Sequence, residues 1–202
     1  MFRAFIVICL VLISPLGIAS QKASILIVGD SISAEYGIES QSGWASLLAS
    51  KITQEKLPYQ VINASISGDT TIGGLNRLKP LLEKYQPAII ILELGGNDGL
   101  RGLSVKVMKN NLHQMIEMSK SHQSKVLLAG MKIPPNYGKR YTEAFNKVYQ
   151  DLSKTHKTKL IPFLLEGIGD KPELMQSDGI HPTQAAQPLI MNSVWKKLQS
   201  LL

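Results

Sequence analysis

Short apolar runs alternate with amphipathic helical segments along this chain, and this alternation restricts the fold more than any other feature of the sequence. The strongest run, residues 88–94, reads Ala-Ile-Ile-Ile-Leu-Glu-Leu, which suits a strand buried on both faces. Strands that alternate with helices pair in parallel through right-handed crossovers. The pattern therefore predicts an α/β domain in which a parallel sheet lies between two layers of helices.

Hydrophobic periodicity also predicts where the elements lie. The expected strands are residues 24–28, 60–64, 88–94, 125–130 and 160–162. The first expected helix begins near residue 44. Four further helices are expected over residues 70–84, 104–122, 140–155 and 183–201. Two local disturbances are expected. Gly73-Gly74 should interrupt the second helix near its start, and Pro188 should kink the last one.

The first 20 residues have the composition of a targeting segment. Arg3 precedes a short apolar run, and small residues follow it. This is the pattern of a secretory signal peptide, and the run is shorter than the ~20 apolar residues of a transmembrane helix. We expect cleavage after Ala19 or Ser20. Residues 1–20 are then a signal peptide, residues 21–202 form one domain, and the protein is exported to the periplasm or secreted without stable membrane insertion.

Charge and cysteine content exclude several classes of protein. Cys9 is the only cysteine and lies in the predicted signal peptide, so the domain has no disulfide and no thiolate metal site. The net charge is +7, but the lysines are scattered over predicted helix faces. No basic run alternates with aromatic residues, so nucleic acid is not an expected partner. A weak attraction to anionic lipid or acyl-CoA is compatible with the charge. Because no coiled coil or disulfide is visible, we expect a monomer.

Polar segments follow the predicted strands at the positions where parallel sheets bind ligands. The carboxyl ends of the strands form one edge of such a sheet, and function collects there. Four segments fall at this edge: residues 29–31 (Gly-Asp-Ser), 65–69 (Ser-Ile-Ser-Gly-Asp), 95–98 (Gly-Gly-Asn-Asp) and 177–182 (Ser-Asp-Gly-Ile-His-Pro).

Three residues at this edge could form a catalytic triad. Ser31 follows the first strand, and Asp178 and His181 precede the last helix. A serine becomes a nucleophile when a base takes its proton and an acid orients that base. The structural alternatives are a helix-capping serine, a loop aspartate and a histidine packed on Pro182. The remaining histidines lie on predicted helices among polar neighbours and are expected at the surface; they are His113, His122 and His156.

The same edge offers hydrogen-bond donors for an oxyanion. The side-chain amide of Asn97 and the backbone N–H groups of Gly68 and Ser31 could stabilise negative charge on a substrate oxygen. Ordinary turns would also explain these glycines and asparagines. With one histidine and no cysteine at this edge, a metal site is not expected there.

The four segments together resemble the SGNH (GDSL) hydrolase superfamily, matching its blocks in order at residues 29–31, Gly68, 95–98 and 178–181. The longer runs 63–70, 93–102 and 178–182 resemble the branch of bacterial periplasmic thioesterases and lysophospholipases. The resemblance covers almost the whole predicted domain. It implies a flavodoxin-like, five-stranded three-layer sandwich, no cofactor, and broad esterase and thioesterase activity.

Residue roles are also implied by the resemblance. Ser31 would be the nucleophile, His181 the base and Asp178 its orienting acid, with an oxyanion hole formed by Ser31, Gly68 and Asn97. The segment 99–104 would be a mobile loop that closes over the acyl chain, and Ile133-Pro134 would line the acyl pocket. The expected substrate-binding residues are Gly99, Leu100, Leu103, Ile133 and Pro134.

The sequence thus predicts an exported serine esterase and thioesterase that acts on acyl esters, thioesters and lysophospholipids through an acyl-enzyme. A short-chain arylesterase or carbohydrate O-acetyl esterase on the same fold is an alternative, although Leu100, Leu103 and Ile133 favour an apolar acyl site. A non-catalytic acyl-binding protein is the alternative from a different class. It is disfavoured because a binder needs neither the triad nor the oxyanion donors.

Overall fold

A single parallel sheet forms the centre of the structure. The computed structural model describes residues 22–202, so the predicted signal peptide lies outside the described residues. The strands are β1 (Ala23–Gly29), β2 (Tyr59–Asn63), β3 (Ile89–Glu93), β4 (Lys125–Ala129) and β5 (Lys159–Ile161). They pair in parallel in the order β2-β1-β3-β4-β5. The predicted α/β class is therefore confirmed, and every predicted strand boundary lies within one residue of the observed one.

Helices cover both faces of the sheet. They are α1 (Trp44–Gln54), α2 (Thr71–Tyr85), the short α3 (Gly96–Leu100), α4 (Val105–Ser121), α5 (Lys139–His156) and α6 (Gln187–Leu198). Helix α1 packs against α6, while α4 packs against both α2 and α5. Because right-handed crossovers reverse direction after β2, α1 and α6 lie on one face and the other long helices on the opposite face.

The two predicted helix disturbances are absent. Gly73 and Gly74 lie inside a continuous α2, where Gly74 contacts the side chain of Leu94 so closely that a methyl group would not fit. This glycine allows helix and sheet to approach each other and does not break the helix. Pro188 lies in the first turn of α6 after a 3-10 turn at Gln184–Ala186. A proline there loses no helical hydrogen bond, so it starts the helix instead of kinking it.

One predicted surface histidine is buried in the structure. His156 was expected at the surface, but it is buried because its ring lies between α4 and α5. There it contacts the side chains of His113 and Glu117. The polar neighbours of His156 along the chain gave no indication that the facing helix would cover its ring.

The most deeply buried part of the core is the pair of central strands. Ile25–Val28 of β1 and Ile89–Leu92 of β3 are fully buried, as expected for strands covered on both faces. Their register pairs Gly29 with Glu93, so the loops that follow β1 and β3 start side by side. Strand β2 lies on one side of β1, and β3 lies on the other. The strand order therefore reverses at the carboxyl ends of β1 and β3, and sheets of this kind bind ligands at such a topological switch point. Among residues 22–202, no helix is both long and apolar enough to cross a bilayer.

Candidate active site

Ser31, His181 and Asp178 form a hydrogen-bonded chain at the carboxyl edge of the sheet. The hydroxyl oxygen of Ser31 lies 2.8 Å from Nε2 of His181. On the other side of the ring, Nδ1 lies 2.6 Å from Oδ2 of Asp178. Ser31 is 9% exposed, whereas the Asp178 side chain is 38% exposed. The fold thus brings together residues that are 150 positions apart in the sequence.

The proton positions in this chain follow from the charge of Asp178. Burial acts to raise the pKa of Asp178, but the backbone N–H and imidazole of His181 and the N–H of Ile180 donate to the carboxylate and lower its pKa to about 2. An ionised carboxylate only accepts hydrogen bonds, so Nδ1 of His181 carries the proton. Nε2 is then free to accept the hydroxyl proton of Ser31. This arrangement can deprotonate a serine.

The loop that carries His181 is held by its neighbours. The ring of Tyr36 packs on the imidazole with a centroid distance of 4.4 Å and an interplanar angle of 39°. Gln176 donates its backbone N–H to the carbonyl of His181, and its side chain donates to the carbonyl of Tyr36. Neither Tyr36 nor Gln176 belongs to a recognisable motif, so neither was predicted from the sequence. Together they hold the imidazole in a defined orientation.

The predicted oxyanion donors lie on the loops after β1, β2 and β3. Asn97 is in the first turn of α3 and gives one amide hydrogen to Oδ2 of Asp30 at 3.1 Å, which leaves the other free. Gly68 has a φ of +77°, a conformation that favours glycine, and its carbonyl accepts from Arg101 at 2.9 Å. Within residues 22–202, the backbone N–H groups of Ser31 and Gly68 find no protein acceptor. Both remain available to a ligand.

Two buried carboxyl groups lie beneath Ser31. Glu93 accepts hydrogen bonds from the backbone N–H of Asp30 at 3.2 Å and from the Ser33 hydroxyl at 2.6 Å. A Cβ on Gly29 would lie 2.6 Å from the Glu93 carboxyl, so only glycine fits beside it. Glu93 is the single charged residue in the apolar run of β3, which is a sequence signal for this feature, although the feature was not predicted. Asp30 and Glu93 together form the buried carboxyl pair.

The charges of this pair are set mainly by burial. Burial raises the pKa of Asp30 to about 6, although the N–H of Ile32 and the amide of Asn97 act in the opposite direction. Burial, followed by the charge of Asp30, raises the pKa of Glu93 well above its ordinary value. Both shifts have the same direction, because burial and the repulsion between two adjacent buried carboxylates favour the protonated form of the pair.

An apolar cavity of about 510 Å³ opens beside Ser31, Asn97 and His181. This volume lies in the range of pockets that bury small organic ligands. Of the predicted substrate-binding residues, Leu100, Ile133 and Pro134 line it. The apolar side chains that complete the lining were not predicted; they include Ile32, Met131, Phe163, Leu165, Met175 and Ile180.

Gly99 and Leu103 do not line this cavity. Gly99 is buried in α3, where a Cβ would lie 2.5 Å from Ile133 and 2.7 Å from Phe145, so it provides room for packing behind the cavity wall. Leu103 borders a separate surface hollow. The predicted mobile loop 99–104 begins inside α3, and two tyrosine hydroxyls hold it. Tyr137 donates to the carbonyl of Leu100 at 2.6 Å and Tyr141 to that of Leu103 at 2.7 Å.

The remaining acidic residues at this edge have structural partners. Asp98 accepts from the backbone N–H and the hydroxyl of Thr71 and so joins α3 to the start of α2. Asp69 pairs with Arg77 at 2.8 Å, and Arg77 also donates to the carbonyls of Ala64 and Gly29. These contacts hold the loops after β1, β2 and β3 in fixed positions relative to one another.

A comparison with protein families matches residues 27–188 to the GDSL-like Lipase/Acylhydrolase family. The chain belongs to this family. Membership confirms the resemblance predicted from the sequence, and it establishes the chain as an ester hydrolase of the serine-hydrolase class. The matched span contains the segments that carry Ser31, Asn97 and His181.

Individual relatives of this GDSL-like hydrolase are similar over most of their length. It is 49% identical to Esterase TesA of Pseudomonas aeruginosa over 89% of each chain. It is 44% identical to Thioesterase 1/protease 1/lysophospholipase L1 of Escherichia coli strain K12, over 91% of this chain and 87% of the relative. A crystal structure of TesA superposes with a TM-score of 0.86 at 49% identity and covers 89% of this chain and 99% of that one.

Proposed function

We propose that this chain is an exported serine esterase and thioesterase that hydrolyses acyl esters and thioesters, including lysophospholipids, through an acyl-enzyme on Ser31. The observation that carries the proposal is the hydrogen-bonded chain from Ser31 through His181 to Asp178 beside an apolar cavity. The names of the two relatives, an esterase and a thioesterase/lysophospholipase, support the same reaction class.

Acylation begins with the Ser31 hydroxyl. Its oxygen attacks the carbonyl carbon of the bound ester or thioester while Nε2 of His181 takes the proton. The imidazolium that forms is stabilised by the Asp178 carboxylate on Nδ1. When the tetrahedral intermediate collapses, His181 returns the proton to the leaving alcohol or thiol. The acyl group remains as an ester on Ser31.

Deacylation repeats these steps with water in place of the serine. Neutral His181 takes a proton from the water, which attacks the acyl carbon, and then gives the proton to Oγ of Ser31. In both halves the oxyanion accepts hydrogen bonds from the N–H groups of Ser31 and Gly68 and from the Asn97 amide. Donors placed before the reaction starts need no reorganisation as charge develops.

The lining of the cavity supports an apolar acyl group as substrate. Phe163, Leu165 and Met131 offer apolar surface, and burial of each methylene contributes about 0.8 kcal/mol. A carbohydrate O-acetyl esterase would gain little from such a cavity. The substrate is a small molecule, and we propose that a single chain is sufficient for the reaction.

Export rests on the sequence of residues 1–20. The proposed signal peptide ends shortly before Ala23, where β1 begins, so its removal would leave the sheet complete. An exported hydrolase would meet lysophospholipids and other extracytoplasmic esters more often than acyl-CoA.

The experiment that tests this function compares hydrolysis of p-nitrophenyl esters from acetyl to palmitoyl, a lysophospholipid and palmitoyl-CoA. The unmodified protein should show its highest kcat/KM on the longer acyl esters. Ser31→Ala should abolish turnover of every substrate without changing Tm, whereas Ser67→Ala, an exposed serine after β2, should retain it. A fluorophosphonate should add to Ser31, as mass spectrometry of the labelled peptide would show. Substantial turnover by folded Ser31→Ala would disprove the proposal.

A further inference from the structure

His113, Glu117 and His156 form a cluster of possible metal ligands that the proposed hydrolase mechanism does not use. His113 and Glu117 lie one helical turn apart on α4, and His156 is the last residue of α5. One donor atom from each residue lies within 4.8 Å of the other two, and among residues 22–202 this is the only such group of three. Because α4 and α5 run antiparallel to the strands, the end of α5 lies at the edge of the sheet opposite Ser31.

We propose that this cluster binds a divalent first-row transition ion, with Zn²⁺ as its best match, between the imidazoles of His113 and His156. Imidazole nitrogen is a common ligand for zinc, copper and nickel, whereas calcium and magnesium prefer oxygen. The proposed site links two helices and lies apart from the triad, so it would bind metal whether or not the hydrolase is active.

The hydrogen bonds of the cluster orient the ligand atoms. Oε1 of Glu117 lies 2.9 Å from Nδ1 of His156, and since a carboxylate accepts, Nδ1 carries a hydrogen. Nε2 of His156 then presents a lone pair to Nδ1 of His113, 2.8 Å away. A carboxylate that fixes a histidine through its other ring nitrogen is the usual outer partner of a zinc-bound imidazole. Glu117 is placed to serve in that way.

Little movement is needed to admit the ion. Two nitrogens that bind one tetrahedral zinc at about 2.0–2.1 Å lie roughly 3.3 Å apart, so the imidazoles must separate by about 0.5 Å. His156 is buried and fixed, but His113 is exposed and can move. The ion replaces the hydrogen bond between the rings but lies to one side of the line between the two nitrogens, so the His113 ring must also turn toward it; the displaced hydrogen moves through solvent to Nε2 of His113. Water completes the coordination on the exposed side.

Two lysines near the cluster are already paired. Lys120 donates to the backbone carbonyl of His156 at 2.7 Å, and Lys109 pairs with Asp151 across the same two helices at 2.9 Å. The Lys120 cation opposes a second positive charge nearby, which weakens the expected affinity. The carboxylate of Glu117 balances part of that charge.

The test has two parts. Zn²⁺ is titrated into the chelator-treated protein in a calorimeter, and the Tm is measured with and without Zn²⁺ by thermal denaturation. We expect one Zn²⁺ per chain and, at about 100 times the Kd, a Tm rise of roughly 5–10 °C. His113→Ala should abolish both effects, and Glu117→Ala should weaken binding by about 10- to 100-fold. X-ray absorption should show two imidazoles on the ion.

Matched variants separate this site from other sources of zinc binding. His122→Ala removes an exposed histidine at the end of the same helix, and His181→Ala removes the imidazole beside Ser31. Both should keep the high-affinity site. Absence of saturable binding at micromolar Zn²⁺ would overturn the proposal, as would binding that His113→Ala leaves intact. Because the readouts are binding and Tm, failure of the proposed hydrolysis would not affect the result.

Discussion

The carboxylate of Asp30 accepts a hydrogen bond from the side-chain amide of Asn97 across 3.1 Å, and this bond joins the loops that follow β1 and β3. It fixes one amide hydrogen of Asn97 and leaves the other free beside Ser31. The other oxygen of Asp30 accepts from the N–H of Ile32, so the carboxylate is held from two sides. In the proposed mechanism Asp30 is therefore a positioning residue for an oxyanion donor.

Asn97→Ala should lower kcat more than it changes KM. In the proposed mechanism the amide binds the oxyanion, which exists only in the transition state and the intermediate, so loss of the amide should affect the reaction more than substrate binding. We expect a decrease of roughly 10²–10³ in kcat, equivalent to about 3–4 kcal/mol. The measurements are kcat, KM and Tm of this variant. A lower Tm with normal turnover per folded molecule would assign Asn97 to turn formation instead.

Asp30→Ala should reduce kcat through Asn97. A hydrogen bond to a charged group contributes about 1.5–3 kcal/mol, so loss of the acceptor should cost roughly 10- to 100-fold in kcat with little effect on KM. Asp30→Asn keeps an oxygen that can accept from Asn97 and should recover much of the rate. The check is steady-state kinetics of Asp30→Ala and Asp30→Asn, each measured with Asn97 intact and in combination with Asn97→Ala. Losses that simply multiply in the double variants would show that Asp30 acts independently of Asn97.

Asp178→Asn should abolish most activity while the fold persists. An asparagine can present its amide to Nδ1 of His181, which favours the tautomer with hydrogen on Nε2, and that nitrogen then cannot accept from Ser31. By analogy with triads elsewhere, kcat should fall by roughly 10³–10⁴. Since the pKa of Asp178 is lowered to about 2, its protonation should not limit activity above about pH 3. Titration of the Asp178 carboxyl group in the folded protein, followed by NMR, tests the second point.

The buried carboxyl pair predicts an unusual dependence of stability on pH. A raised pKa means that the folded state binds protons more tightly than the unfolded state, so stability is lost as pH rises above the ordinary value of 4.5 for Glu93. Glu93→Gln removes this titration. The Tm of the variant relative to the unmodified protein should therefore increase between about pH 4.5 and neutrality. A constant Tm difference over this range would show that Glu93 does not titrate abnormally.

The pKa of Asp178 is shifted in the opposite direction from that of Glu93, so Asp178 provides an internal comparison. Its lowered pKa stabilises the folded state above the ordinary value of 3.8, and this contribution is lost as pH falls from there toward about 2. When Tm is plotted against pH, the difference between Glu93→Gln and the unmodified protein should change above about pH 4. The difference for Asp178→Asn should change below about pH 4. The Asp178 side chain is 38% exposed, so its effect should be the smaller.

Export predicts a shortened chain. If residues 1–20 are a signal peptide, the mature protein recovered from the periplasm or medium should start between Ser20 and Ala23. Intact-mass measurement, with Edman or peptide mapping of the N-terminus, identifies the first residue. Recovery of the chain with Met1 from the membrane fraction would mean that the apolar run is an anchor.

The sequence alone determined the class of fold and the sheet edge where the site lies. Residues 88–94 and 24–28 predict buried strands because local apolar runs of that length require burial, and polar residues directly after a strand must lie at its carboxyl end. The types of residue needed for a triad, with the blocks around Gly68 and Asn97, were likewise readable from short motifs. Each of these inferences depends on residues that are close together in the chain.

The tertiary structure alone decided how distant residues meet. The register of β1 against β3 places Glu93 beneath Asp30, and the crossing of α4 and α5 buries His156. It likewise decided that Leu100 lines the cavity while Leu103 does not, although both belong to one short segment. The pKa of a carboxyl group and the surroundings of an imidazole depend on groups that approach from other elements, and packing brings those groups together across long sequence separations. Local sequence patterns carry no direct record of such contacts.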